Sequence, residues 1–225
     1  MRRAVPGLLA VAICLQLTVI YRQMSGPPLR SRLSAVRDVS GSVSIAGMPR
    51  QGAETARVVI VEFADYECPY CRRHALNTMA EIQLELIEPG LIQYVFANNP
   101  LPNHPNAEYL ARAALCGGRE AGYWVMHAGI FEAEATTEGD VANVIGALGS
   151  DAEGVEACIK EDEVVDARLA ADREIAEALG LAATPSFAVG LLRGEDTIEV
   201  RRVITGARAT QIFVEAVAEV AATPE

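Results

Sequence analysis

Two cysteines separated by two residues, in Cys68-Pro69-Tyr70-Cys71, carry the clearest chemical signal in this chain of 225 residues. A dithiol at that spacing can exchange electrons with another dithiol: one sulfur forms a mixed disulfide and the other resolves it. The pair follows a β-branched run, Val58 to Phe63, and precedes apolar positions at helical spacing (Ala75, Leu76, Met79, Ile82, Leu86, Ile87). Cys68 is therefore expected at a helix N-terminus, where unpaired N–H groups and the positive end of the dipole favour a thiolate. Pro69 suits the first turn, where no intrahelical bond is lost. Cys71, one turn in, is more sheltered and suits the resolving role. Arg72 and Arg73 add positive charge nearby, and Asp65 and Glu67 oppose it.

Other chemistry is open to the same residues. With His74 the motif reads C-x2-C-x2-H, three zinc-type ligands, but a structural site needs a fourth. His104 and His127 fall in unrelated segments, so no metal is expected. A purely structural Cys68–Cys71 bridge would close too short a loop to stabilise much. Cys116 and Cys158 lie 42 positions apart. In an oxidising compartment a structural disulfide between them would be worth about 4 kcal/mol in the chain-entropy model. The alternative is two unpaired thiols in the core.

The elements that must hold the dithiol can be placed coarsely. Val43–Ile45 reads as a short edge strand and Gly47–Ala56 as a turn-rich connection. Val58–Phe63, a run ending beside a carboxylate at Glu62, reads as a buried central strand. A helix follows the cysteines, Pro89-Gly90 stops it, and Leu91–Phe96 gives a second strand. This βαβ order favours a parallel pair. Residues 107–116, 123–132, 140–148, 153–160 and 164–179 read as helices, with Tyr123, Trp124 and Met126 as core contacts. Ser186–Val189 and Thr197–Ile204 then form a hairpin across Gly190–Asp196, and a last helix covers Thr210–Ala221.

Three stretches, in this order, resemble the DsbA-like thiol–disulfide oxidoreductases. They are Val61–Cys71 (Val-Glu-Phe-Ala-Asp-Tyr-Glu-Cys-Pro-Tyr-Cys), Asn99–Pro105 (Asn-Pro-Leu-Pro-Asn-His-Pro) and Ala183–Phe187 (Ala-Thr-Pro-Ser-Phe). The resemblance covers about residues 43–222 and is closest to the membrane-tethered or secreted branch. It implies an α/β, thioredoxin-like fold with a large all-helical insertion, and a thiol–disulfide oxidoreductase. Cys68 would be the nucleophile and Cys71 the resolving thiol. Thr184-Pro185 would be the cis-proline loop that pairs with an extended substrate. Glu62 would be the buried carboxylate that relays the proton of Cys71. His104 is expected near the active site, as a structural cap. The chain departs from DsbA at Tyr70, where DsbA has a His that stabilises the reduced thiolate. A potential between about −270 and −120 mV is therefore expected, which leaves disulfide formation and reduction both open.

The N-terminus bears on the compartment. Arg2 and Arg3 precede an uncharged run from Ala4 to Tyr21, long enough as a helix for about 27 Å of a bilayer core of about 30 Å. A basic start before an apolar run reads as a signal, here an uncleaved anchor or a cleaved peptide. Four arginines within the following twenty or so residues would, by the positive-inside count alone, keep the body in the cytoplasm. The organisation is thus a signal segment (1–22), a linker (23–42), a two-part α/β domain (43–105 and 181–225) and a helical insertion (106–180).

Net charge is −11, although residues 1–37 hold six arginines and no acid. So acidic a body repels a phosphate backbone, and nucleic acid is not expected as a partner. The expected activity is disulfide exchange, more in the forming direction, with exported polypeptides, in a periplasmic or extracytoplasmic location anchored to the inner membrane by residues 4–21. No cofactor is needed beyond the Cys68–Cys71 disulfide, but a membrane redox partner is. A monomer is expected, because residues 22–56 leave no room for a dimerisation domain. The rivals are a reductase of the same fold and a non-catalytic chaperone or binding module using the groove beside Thr184-Pro185.

Overall fold

A computed structural model describes residues 36–223. The expected anchor at 4–21, Cys14 and the first part of the linker lie outside the described residues. A six-stranded mixed sheet runs in the order β1-β6-β5-β3-β4-β2. Its strands are β1 (Val36–Ser44), β2 (Arg50–Gly52), β3 (Val58–Ala64), β4 (Ile92–Asn98), β5 (Ser186–Arg193) and β6 (Thr197–Thr205).

β3 is central and buried along its whole length. It pairs in parallel with β4 and antiparallel with β5, so both its faces are covered and its near-continuous apolar run is explained. Alternation along the strand sorts the core. Val58 and Ile60 pack with Ile92, Tyr94, Phe187 and Phe213 on one face. Val59, Val61 and Phe63 pack with Val95, Ala97, Ala176 and Val203 on the other. Glu62 shares the parity of Val58 and Ile60, and so points to the first face.

The sheet's edges differ from the sequence reading. β1 begins at Val36, inside the segment assigned to the linker, and pairs antiparallel with β6 from Val36↔Ile204 to Ser44↔Thr197. Residues 36–42 are mostly polar because the strand is an edge with little burial, so they lack the alternation that would have marked it. The connection at 47–56 contains β2, three residues held to β4 from Arg50↔Val95 to Gly52↔Gln93 by backbone pairing.

The helix after the cysteines, α1, is continuous from Pro69–Arg73 through His74–Thr78 and Met79–Ile82 to Gln83–Ile87, and its second and fourth segments are π-helical. Each wide turn resets the phase of the buried stripe. His74 is therefore fully buried while Leu76, read as core from its spacing, is exposed.

Between β4 and β5 stands a block of five helices: α2 (Ala107–Ala121), α3 (Tyr123–Glu132), α4 (Glu138–Ala147), α5 (Ala152–Glu161) and α6 (Glu163–Ala178). Gly122, at φ 90°, turns the chain between α2 and α3 in a conformation that favours glycine. Thr137 and Asp140 form a reciprocal capping box on α4. Asp162 ends α5 and caps α6 through Val165 N–H. The final helix, α7 (Thr210–Ala221), buries Phe213, Ala216 and Val220 against the sheet face that carries Glu62. Among the described residues no helix is long and apolar enough to cross a membrane.

Candidate active site

Cys68 is the N-cap residue of α1, with extended backbone (φ −78°, ψ 121°) and Pro69 just after it. Its N–H donates to Asp65 O at 3.1 Å, and its carbonyl accepts from Arg72 N–H at 3.1 Å, the first bond of the helix. The sequence folds this way because Pro69 fixes the entry to the helix while β3 delivers the turn at Asp65. Cys71 is fully buried beneath, its sulfur 3.5 Å from Asp65 N–H. Both cysteines are free thiols.

The antiparallel pairing of β5 with β3 brings Thr184-Pro185 against the dithiol. That peptide bond is cis, and Cys68 Sγ lies 3.5 Å from Thr184 O. The Cys68 thiol is pushed down to about 5. A hydrogen bond from the Cys71 thiol is the main cause. Burial opposes it, while Thr184 and the N–H groups of Cys71 and Tyr70 add to it. The Cys71 thiol is pushed up by burial first, then by its pairing with Cys68 and by the charge of Glu62. One thiol is thus prepared to be a thiolate and the other to stay protonated.

Glu62 is buried, and desolvation pushes its carboxyl up to about 8 against a hydrogen bond from Tyr94. Tyr94 O–H donates to Glu62 Oε2 at 2.7 Å, and the same hydroxyl lies 3.1 Å from His74 Nε2. β3 is central, as its apolar run predicted, so Glu62 has no route to an exposed edge. His74 belongs to this cluster, and among the described residues no three His, Cys, Asp or Glu side chains gather as metal ligands.

Asp65 ties the surroundings together. Its carboxylate accepts from Glu67 N–H at 2.8 Å, from Leu101 N–H at 2.8 Å and from His104 Nδ1 at 2.7 Å. Burial alone would lower the pKa of His104. The bond to Asp65 and its charge outweigh that, and the ring ends above its ordinary value. Glu67 accepts from Asn106 N–H at 2.7 Å, fixing the start of α2. The loop 99–105 is therefore docked on the turn that presents Cys68.

Arg72 donates to Phe131 O at 2.8 Å, and the Arg73 guanidinium stacks 5.2 Å from the ring of Tyr70, which is 57% exposed. Cys68, Tyr66, Arg72, Phe131 and Glu134 line a cavity of about 170 Å³, and Cys71 does not reach it. A larger cavity of about 710 Å³ lies between Met48–Arg50 and helices α2 and α6, and holds neither thiol. Cys116 and Cys158 are joined, Cα–Cα 5.8 Å, linking α2 to α5 within the block. Met126 is fully buried, and Tyr123 and Trp124 pack beside it.

The motif residues 62, 68–71 and 184–185 thus converge on one spot. Sequence reasoning missed Tyr94 and His74 as partners of Glu62. The signal for Tyr94 was present but needed the register: it pairs with Ile60 on the neighbouring strand, on the face that Glu62 shares.

A family model described as thioredoxin matches residues 45–199. The disulfide bond formation protein D of Bacillus subtilis (strain 168) is 28% identical over 160 residues, covering 67% of this chain and 71% of that protein. A Na(+)/H(+) antiporter, NhaA 1 of Mycolicibacterium vanbaalenii, is 32% identical over 146 residues, 64% of this chain but only 23% of that protein. The crystal structure of a thioredoxin-like oxidoreductase from Silicibacter pomeroyi DSS-3 superposes with a TM-score of 0.65 at 26% identity, covering 80% of this chain and 95% of that one.

Proposed function

The chain belongs to the thioredoxin family and is a thiol–disulfide oxidoreductase, and we propose that it forms disulfides in exported polypeptides. The observation that carries the forming direction is Cys68 at the helix cap, its thiol pushed down to about 5 beside a protonated Cys71. A stabilised thiolate favours the reduced enzyme, and an enzyme stable when reduced is a good oxidant.

In that reading a substrate thiolate attacks Cys68 in the Cys68–Cys71 disulfide. The S–S bond breaks, Cys71 leaves with the electron pair, and it takes a proton from the Glu62 carboxyl. A second substrate thiolate then attacks the substrate sulfur of the mixed disulfide. Cys68 leaves as a thiolate, held by the helix start, and the substrate keeps the new disulfide. Thr184-Pro185 would pair with the substrate backbone, and Pro69 and Tyr70 would shape the approach to Cys68. A quinone-linked membrane partner would reoxidise the dithiol, with no other cofactor. The protein would act as a monomer, extracytoplasmic and anchored by residues 4–21.

The test is a glutathione redox titration of the full chain, with Cys68/Cys71 and Cys116/Cys158 followed separately by mass spectrometry. A Cys68–Cys71 potential above about −180 mV supports an oxidase, and one near thioredoxin's −270 mV or so turns the assignment to a reductase. The absence of any reversible couple at this pair would leave a binding module.

A further inference from the structure

Glu62 is held in a chain of hydrogen bonds whose direction can be worked out. The Tyr94 hydroxyl has one proton and donates it to Glu62 Oε2 at 2.7 Å. Its oxygen is then free only to accept, so at 3.1 Å it accepts from His74 Nε2. That makes His74 the Nε2–H tautomer and leaves Nδ1 with a bare lone pair. His74 Nδ1 is a buried atom with no hydrogen-bond partner, consistent with this assignment. The reversed chain would put a proton on Nδ1, creating a buried donor with no acceptor, which costs more than a bare lone pair. Burial pushes the His74 ring down to about 3, so it is neutral and has only one proton to give.

The surroundings permit little else to act on this carboxyl. Facing Glu62 are Cys71 and, through Tyr94, His74 from α1, Tyr94 from β4, Tyr66 from the β3–α1 turn, and Tyr123, His127 and Glu132 from α3. The His127 ring is pushed down to about 3 by burial and is neutral. From β5 and α7 the neighbours of His74 are the rings of Phe187 and Phe213. Among the described residues none of these groups is a cation, and Tyr94 is the donor. Glu62, Tyr94 and His127 also line a cavity of about 290 Å³ that reaches exposed Leu76 and Glu132.

We propose that Tyr94 and His74 are positioning residues of the redox reaction: His74 Nε2–H donates to the Tyr94 hydroxyl, which donates to Glu62 and keeps its carboxylate available to take the Cys71 proton. This rests on Glu62 serving Cys71. In the resolving step the Cys71 S–H bond breaks and its proton goes to Glu62 Oε. The Cys71 thiolate attacks Cys68 in a mixed disulfide, the Cys68–Cys71 bond forms, and the bound thiol leaves as a thiolate. Tyr94 and His74 lose no proton in this step.

The test uses the reduced full chain and an aromatic disulfide, 5,5′-dithiobis(2-nitrobenzoate). The first thionitrobenzoate released reports Cys68, and the second reports attack by Cys71. The rate of the second release should rise with pH through an inflection set by Glu62, and Glu62→Gln should abolish that inflection. Tyr94→Phe removes the donor and should move the inflection up by about one pH unit, slowing the second release roughly tenfold on the acid side while leaving the first unchanged. His74→Phe should move it the same way by less. An inflection that vanishes in Glu62→Gln but stays in place in Tyr94→Phe overturns the proposal and leaves the role of Glu62 standing. An inflection that survives Glu62→Gln removes the role of Glu62, and the proposal with it. Should the variants not fold, the ¹⁵N shifts of His74 in the unmodified protein decide: protonated Nε2 and bare Nδ1 are expected, and the opposite tautomer overturns the relay.

Discussion

Reduced Cys68 allows a quantitative test, because folding moves its thiol down to about 5 from an ordinary value of about 8.5. Between those values the unfolded chain holds a proton that the folded chain has lost, so stability rises with pH. The contribution is fully present above about 8.5 and is lost as pH falls through about 5. From pH 5.5 to 7.5 the ideal gain is about 2.5 kcal/mol, at 1.36 kcal/mol for each unit. Water at the mouth of the site screens the sulfur and cuts this to roughly half. Glu62 acts in the opposite sense. Its carboxyl is pushed up to about 8, so its contribution is present below the unfolded value of about 4.3 and is lost as pH rises. Measuring the oxidised protein alongside cancels the contributions the two forms share. The assay is urea unfolding of the full chain in both redox forms at half-unit steps from pH 5 to 8.5. The reduced-minus-oxidised difference should climb by about 1–2.5 kcal/mol between pH 5.5 and 7.5. By linkage the same climb equals roughly 20–50 mV of potential. A difference that stays flat across that window would refute the reasoning from the helix cap.

Two further outcomes follow from the same geometry. Replacing Cys116 and Cys158 together by Ala opens a loop of 42 positions and should lower unfolding stability by about 4 kcal/mol in the chain-entropy model; Cys68 alkylation rates should not change, and a change would mean the bridge acts on the site. Tyr70→His, at a side chain 57% exposed beside the dithiol, should lower the pH midpoint of Cys68 alkylation and raise the glutathione potential by about 30 mV or more; an unchanged potential would show that this position does not reach the sulfur.

How much of this was legible depended on whether a residue's role was local. Cys68, Pro69 and Cys71 act through the start of one helix, and strand–turn–helix order places that start. The bounds of α3 and α7 were readable as they stand: Gly122 precedes α3, and Gly206 and Pro224 bracket α7. What failed was set by neighbours distant in sequence. Arg50-Gln51-Gly52 has no pattern of its own and becomes a strand only because β4 offers it an edge. Val36 to Ser42 looks like linker until β6 pairs with it. His74 was read only as a third zinc-type ligand, and its burial was hidden because the wide turns of α1 shift the helical phase. The partners of Glu62 come from β4 and α1, so they leave no mark on local composition.

The register of β3 has a consequence for how this molecule can vary. The chain enters the helical block beyond Asn98, which pairs with Ala64, and returns at Ser186, which pairs with Phe63. Entry and exit thus flank the end of one strand, only two strand spacings apart, or about 10 Å. A segment whose ends are already that close can be lengthened or shortened at small entropic cost and without disturbing the sheet. Both ends also lie beside the turn that holds Cys68, and α3 walls the cleft in front of it. Insertions and deletions in this block would therefore reshape what the thiol meets while leaving the thiol's own chemistry alone, so recognition and reactivity can diverge separately.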